Sequence, residues 1–205
     1  MTKTIIHLVR HGEVHNPEGI LYGRLPQYKL SQTGRKQAAS ARETLKARNL
    51  NAIYASPQPR AQETAGIIAE GHPALSVKTS EHIDEVLTPR EGELLSELMK
   101  TNWDLYTGNQ PPYEVQSDVL KRAQHFFATI RDAHHGQEIA AVTHGDIVAF
   151  MFLFAKNAPL DKREQGYMLT LGLPEEYPAT ASISTFTYHT QDVDEVPEYA
   201  YLRPY

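Results

Sequence analysis

The chain has no cysteine, which excludes a disulfide framework, a thiolate metal site and a cysteine nucleophile together. It has no apolar run approaching the roughly 20 residues that a membrane-spanning helix needs. The apolar-leaning stretch Thr4 to Val9, behind a lone Lys3, is also too short for a signal peptide. The expectation is therefore a cytoplasmic protein with no membrane partner. Positive charge is scarce as well: 20 lysines and arginines face 25 aspartates and glutamates, a net charge of -5. That balance opposes the basic footprint of a nucleic-acid-binding surface, so no nucleic-acid partner is expected, although a small anion needs only local positive charge. Neither the glycine-rich, lysine-containing nucleotide loop nor a dinucleotide fingerprint occurs. His134 and His135 are adjacent, point in different directions on a helix and have no third ligand at a useful spacing. No metal and no cofactor is expected.

What is present suits one soluble core. The 205 residues are 40% hydrophobic and 22% charged, and a chain of this size buries roughly 70% of its unfolded surface. A single domain spanning 1–205 is expected, with an inserted, cap-like segment around 86–116. Short β-branched or apolar runs predict strands over 4–9, 52–55, 77–79, 138–142 and 182–188. Helical spacing predicts helices from Ser31 or Thr33 to about Asn49, from Pro59 to Gly71, over Glu91–Asn102, from Ser117 or Asp118 to Ala133, and over Asp146–Phe154. Alternation of strand and helix predicts an α/β fold, a three-layer α/β/α sandwich around a largely parallel central sheet. The acidic stretch Asp192, Asp194, Glu195 and Glu198 reads as solvated surface. Trp103, Tyr106 and Tyr113 fall near the suspected cleft, where they can contact an organic substrate or pack the insertion against the sheet. No long apolar run marks an interface, so a homodimer is allowed rather than required.

Ligands of open parallel sheets bind beyond the carboxyl ends of the strands. Three polar groups lie there: Arg10 and His11, Ser56 to Arg60, and Thr143 to Asp146. Arginine offers a planar fork of donors matched to phosphate oxygens. An imidazole between two such cations is held neutral, and with its Nδ1–H on a carbonyl it presents a free Nε2 lone pair for attack. His144 can donate to phosphoryl oxygens. Singly, each of these residues also has a structural reading as a boundary histidine or a solvated arginine.

Their order changes the weighting. Leu8-Val9-Arg10-His11-Gly12-Glu13, followed by Asn16, Gly23, Arg24, Leu30, Ser31, Gly34 and Gln37, resembles the N-terminal signature of the histidine phosphatase, or phosphoglycerate mutase-like, superfamily. Ala55-Ser56-Pro57-Gln58-Pro59-Arg60-Ala61-Gln62-Glu63-Thr64-Ala65 resembles its second signature, and Val142-Thr143-His144-Gly145 its late histidine motif. The resemblance implies a phosphoglycerate mutase-like fold, with His11 as the phosphorylated histidine and Arg10, Arg60 and His144 as its phosphate pocket. It makes Asn16, Gly23 and Ser56 substrate contacts, lets the Gly12 backbone approach the ligand, and puts Glu85 at the position of the proton donor, with Asp84 the nearest competitor. Arg90 can reach a second anionic group of the substrate. The implied function is a phosphomonoesterase acting on a small phosphorylated metabolite. A mutase-type phosphotransferase and a non-catalytic phosphate-binding protein are the alternatives; the mutase reading is disfavoured because only 58 residues separate Glu85 from His144. The chain departs from the family where Thr88-Pro89-Arg90-Glu91-Gly92-Glu93 replaces the usual glycine and tryptophan pattern, and where no aspartate follows Arg24.

Overall fold

A computed structural model describes residues 2–160 and 166–205. Its strands are β1 (Thr4–Arg10), β2 (Leu50–Ala55), β3 (Val77–Thr79), β4 (Glu138–Thr143), β5 (Ile183–Tyr188) and β6 (Glu198–Leu202). They form one sheet in the order β3-β2-β4-β1-β5-β6, parallel from β3 to β1, with β5 antiparallel to both β1 and β6. Successive side chains on a strand point to opposite faces, and the central strands are apolar on both. Ile6, Leu8, Ala52, Ile139 and Ala141 face one way; Val9, Ile53, Ala55, Ala140 and Val142 face the other.

The helices are α1 (Gln32–Lys46), α2 (Pro59–Ala69), α3 (Leu95–Lys100), α4 (Gln116–Ala133), α5 (Gly145–Ala155) and α6 (Tyr167–Thr170). One face is covered by α1 and α2, whose Ala41, Leu45, Ala61, Ala65 and Ile68 recur at three- and four-residue spacing. Ser31 caps α1, its hydroxyl accepting the Gly34 N–H at 2.9 Å, and Pro59 supplies the first turn of α2. The other face carries α4 and α5. Every residue from Gly145 to Leu153 is buried, because α5 lies among the sheet, α4 and the aromatic residues of β5 and β6. Truncating Phe150 or Phe152 there costs about 3–5 kcal/mol.

The three-layer, mostly parallel architecture is the expected one, and three local expectations change. The helix over 91–102 shortens to α3, because Gly92 takes a positive φ of 88° and Leu94 bridges to Ile20. The carbonyls of Leu21 and Gly19 accept the Gly92 and Leu95 N–H groups, while Glu93 accepts that of Leu21. Helix α4 starts at Gln116, with Asp118 reaching back to the Val115 N–H at 3.0 Å. In the acidic stretch Asp192, Asp194 and Glu198 are exposed as expected, and Glu195 alone is half-buried. Glu195 accepts the N–H groups of His189 and Thr190 and an Arg131 bond, and Glu198 opens β6. No described helix is long and apolar enough to cross a membrane.

Candidate active site

Register brings the three polar groups together. Val142 on β4 pairs with Val9 on β1 and with Ala55 on β2, so the three strands end level. Arg10 and His11, Ser56, and Thr143 and His144 therefore emerge side by side at one edge, and the first turn of α2 adds Arg60. The backbone knits this edge: the His11 and Ser56 N–H groups donate to the Thr143 and Val142 carbonyls, both at 2.9 Å.

His11 is 1% exposed. Its Nδ1–H donates to the Gly12 carbonyl at 2.8 Å, which leaves the Nε2 lone pair to accept Arg60 Nε–H at 3.2 Å. Burial, reinforced by the charges of Arg60 and Arg10 and by His144, holds the imidazole well below its usual pKa. The ring is thus neutral, with its unprotonated nitrogen turned to a cation. Arg60 is wholly buried and gives Nη2 to the Gly23 carbonyl at 2.7 Å, to Glu85 at 3.1 Å and to His144 Nδ1 at 3.1 Å. Its Nη1 has no hydrogen-bond partner among the described residues, nor has Arg10 Nε, although both are buried. Unpaired buried guanidinium nitrogens are costly unless an anion meets them. Arg10 is held for that purpose by a 2.6 Å bond to the Pro178 carbonyl and by the Tyr177 ring, 5.1 Å from its carbon. The Tyr177 hydroxyl in turn donates to Asp146 at 2.7 Å, and Tyr106 donates to the other oxygen of that carboxylate.

Behind His144 runs a second line of bonds. The Ser56 hydroxyl donates to Asp84 Oδ1 at 3.0 Å and therefore accepts from His144 Nε2–H at 2.6 Å. That leaves Nδ1 as the acceptor facing Arg60. Ser56 thus orients His144 and is not placed as a substrate contact. Asp84 is buried and occupied by Ser56, the Gln58 amide at 2.9 Å and the Glu85 N–H at 2.7 Å. Its neighbour Glu85 points the other way, with Oε2 between Arg60 and His144, 3.1 and 3.2 Å away. Burial alone would raise the Glu85 carboxyl, but the attraction of His144 and Arg60 and the Val86 N–H prevail and hold it well below the usual carboxylate range. Of the two acids, Glu85 is the one turned into the pocket.

His11, Glu85 and His144 each offer an atom within 4.8 Å of the others, a grouping that metals favour. Here the Arg60 guanidinium bonds to all three, and a permanent cation at that point opposes a second one. The set is an anion site by charge.

The remaining sequence candidates divide. Gly23 is in place: its carbonyl anchors Arg60, its φ is +40°, and an added Cβ would overlap the Glu91 side chain. Asn16 braces its own loop, bonding Ile20 through both ends of its amide. Arg90 gives Nη1 to Thr101 Oγ1 and the Asp104 carbonyl, 3.1 and 2.8 Å away, and so ties the turn at 89–92 to the end of α3. Gly12 admits the Gly34 backbone rather than a ligand, since a Cβ would overlap that carbonyl. Tyr22 was not anticipated. Its ring lies 4.7 Å from the Arg60 guanidinium carbon, edge-on to His11 and stacked on Tyr28. Burial pushes its phenol up, so it remains a donor. Its place beside Gly23, in the motif-bearing loop, was the available signal; Tyr177 lies outside every motif and had none.

The chain belongs to the histidine phosphatase superfamily (branch 1), whose family model matches residues 6–190, and it is an enzyme of that phosphatase class. An uncharacterized Mycobacterium tuberculosis protein is 39% identical over 149 residues, 69% of this chain and 73% of that one. Phosphoserine phosphatase 1 of Hydrogenobacter thermophilus is 32% identical over 146 residues, 67% and 69% of the two chains. The native structure of a mycobacterial glucosyl-3-phosphoglycerate phosphatase superposes with a TM-score of 0.76 over 97% of each chain; at 21% identity it shows a shared fold.

Proposed function

We propose that this enzyme hydrolyses small phosphate monoesters through a phosphohistidine on His11. The observation that carries the proposal is a neutral imidazole whose Nε2 faces Arg60, beside two buried guanidinium nitrogens without partners among the described residues. A phosphoryl group seats its oxygens on Arg60 Nη1 and Arg10 Nε, and the His11 Nε2 lone pair attacks phosphorus opposite the leaving oxygen. The ester P–O bond breaks as the N–P bond forms, and Glu85 gives its proton to that oxygen. Glu85 then takes a proton from water, whose oxygen attacks phosphorus and frees phosphate and His11. Positioning and charge stabilisation do most of such work.

The resting site holds Glu85 ionised, against Arg60 and His144. A phosphate dianion takes over the Arg60 donor and adds a like charge, while burial continues to favour the neutral acid. Substrate binding thereby loads the carboxyl with the proton it donates. The drawn chemistry calls on no metal or organic cofactor, and a relative named as a phosphoserine phosphatase supports a monoester as substrate. A brief reaction with labelled substrate and an alkaline quench is expected to trap acid-labile label on His11. Absence of label during turnover, with activity retained in His11→Ala, overturns the proposal.

A further inference from the structure

Glu85 stands on backbone without regular structure, between the 3-10 turn Glu81–Ile83 and the turn at 89–92. A proton donor must hold its place closely, since a misplacement of about 1 Å can cost about 100-fold in rate. The support comes from outside the loop. Arg122 of α4 gives Nη1 to the His82 and Asp84 carbonyls at 3.1 and 2.7 Å, and Nη2 to the Glu85 carbonyl at 3.1 Å. Its remaining donors meet both oxygens of Glu114, at 2.6 and 3.2 Å. Glu114 also accepts the Leu87 N–H at 2.8 Å and an Arg24 Nη2 bond at 3.3 Å, while Arg24 Nε adds a second donor, at 2.8 Å, to the Glu85 carbonyl. The backbone is thus pinned on both sides of the acid, at residues 82, 84, 85 and 87.

We infer that Arg122, with Glu114 and Arg24, positions the Glu85 carboxylate for proton transfer. The inference rests on Glu85 being the acid. Arg122 is argued to act through the loop it holds, since its bonds run to that backbone and to Glu114. One planar guanidinium spans three carbonyls and a carboxylate, which lysine, with a single nitrogen, cannot do.

The experiment compares the parent enzyme with Arg122→Lys, Glu114→Gln and Glu85→Gln on an alkyl phosphate and on p-nitrophenyl phosphate, whose phenolate leaves without a proton. Inhibition by vanadate serves as the gauge of the phosphate pocket. Arg122→Lys is expected to lower kcat on the alkyl ester about tenfold or more, part of the 100- to 10,000-fold that general acids supply. It should leave kcat on the nitrophenyl ester within about threefold, and both KM and vanadate inhibition unchanged, because transition-state proton transfer alone is impaired. Glu114→Gln should show the same split and decides the question if Arg122→Lys does not fold. Equal losses on the two esters in the clamp variants, or no loss, with Glu85→Gln still showing the split, overturn the inference alone. Equal losses in Glu85→Gln overturn the acid assignment and the inference with it.

Discussion

Replacing Ser56 by alanine isolates the line of bonds behind His144. The hydroxyl serves three partners, but they depend on it unequally. Asp84 Oδ1 keeps the Gln58 amide and the Glu85 N–H, and the Gln58 N–H loses only a 3.3 Å contact. His144 is wholly buried and, among the described residues, has no other acceptor near Nε2–H than Asp84 Oδ1, 3.8 Å away and beyond hydrogen-bond reach. Moving the proton to Nδ1 would satisfy it at Glu85 but set donor against donor at Arg60 Nη2, 3.1 Å away. The cost is therefore that of one orphaned buried donor, about 1–3 kcal/mol. For a protein of this size each kcal/mol lowers Tm by roughly 2–4 °C. The same change frees the His144 ring beside Arg60 and Glu85, and on the proposed mechanism kcat/KM should fall by at least about tenfold, towards the roughly 100-fold that a misplaced group can cost. Calorimetry and steady-state kinetics on Ser56→Ala measure both. Unchanged Tm and unchanged kcat/KM would refute the reasoning; lowered Tm with unchanged kcat/KM would show that His144 orientation does not govern the rate.

Two further outcomes are expected. The pKa values of His7, His11 and His144 are all lowered from 6.5, chiefly by burial. The unfolded chain therefore binds more protons below that value, and stability present above about pH 6.5 is lost as pH falls. The depressed Glu85 carboxyl extends the loss below its usual 4.5; Tm measured at constant ionic strength should decline on acidification from neutrality, and a flat profile down to about pH 5 would contradict the linkage. Because Arg90 is committed to Thr101 and Asp104, Arg90→Ala should speed hydrogen exchange over residues 95–104 and change KM equally for anionic sugar phosphates and a neutral aryl phosphate. A rise confined to the anionic sugars would place Arg90 in the site.

The central strands were legible because a sheet covered on both faces makes its inner strands mostly apolar on both sides, and β1, β2 and β4 come nearest to that pattern. β6 was missed for the complementary reason. It is an edge strand whose Tyr199 and Tyr201 alternate with exposed Glu198, Ala200 and Leu202, and the acids before it read as solvent-facing. The helix over 91–102 was overdrawn because Leu94, Leu95, Leu98 and Met99 have helical spacing whichever partner claims the backbone. The bridge to Ile20 decides that, and it depends on a loop more than 70 residues earlier in the chain.

The same division runs through the site. That His11, Arg10, Arg60, His144 and Glu85 share one pocket was legible because the family resemblance sets each of them at or a few residues after the end of a strand. Where Ser56, Asn16 and Arg90 point was not legible: each has the polarity to meet a phosphate and instead spends its bonds on protein. Arg122 is the sharper case. It lies on α4 beside the buried Ala123, three residues after the buried Val119 and on the margin of the apolar stripe, where an arginine is ordinarily solvated. Only the fold shows that its guanidinium reaches the loop that carries Glu85. Groups that react are constrained by chemistry and so leave a signature, whereas a group that holds a loop still can be supplied by any donor of suitable reach, from any element that happens to pack against it. The most informative mutations outside the motifs are accordingly those on α4 and in the 112–114 turn, at Arg122 and Glu114, where a change of rate without a change of phosphate binding would expose a support that no motif encodes.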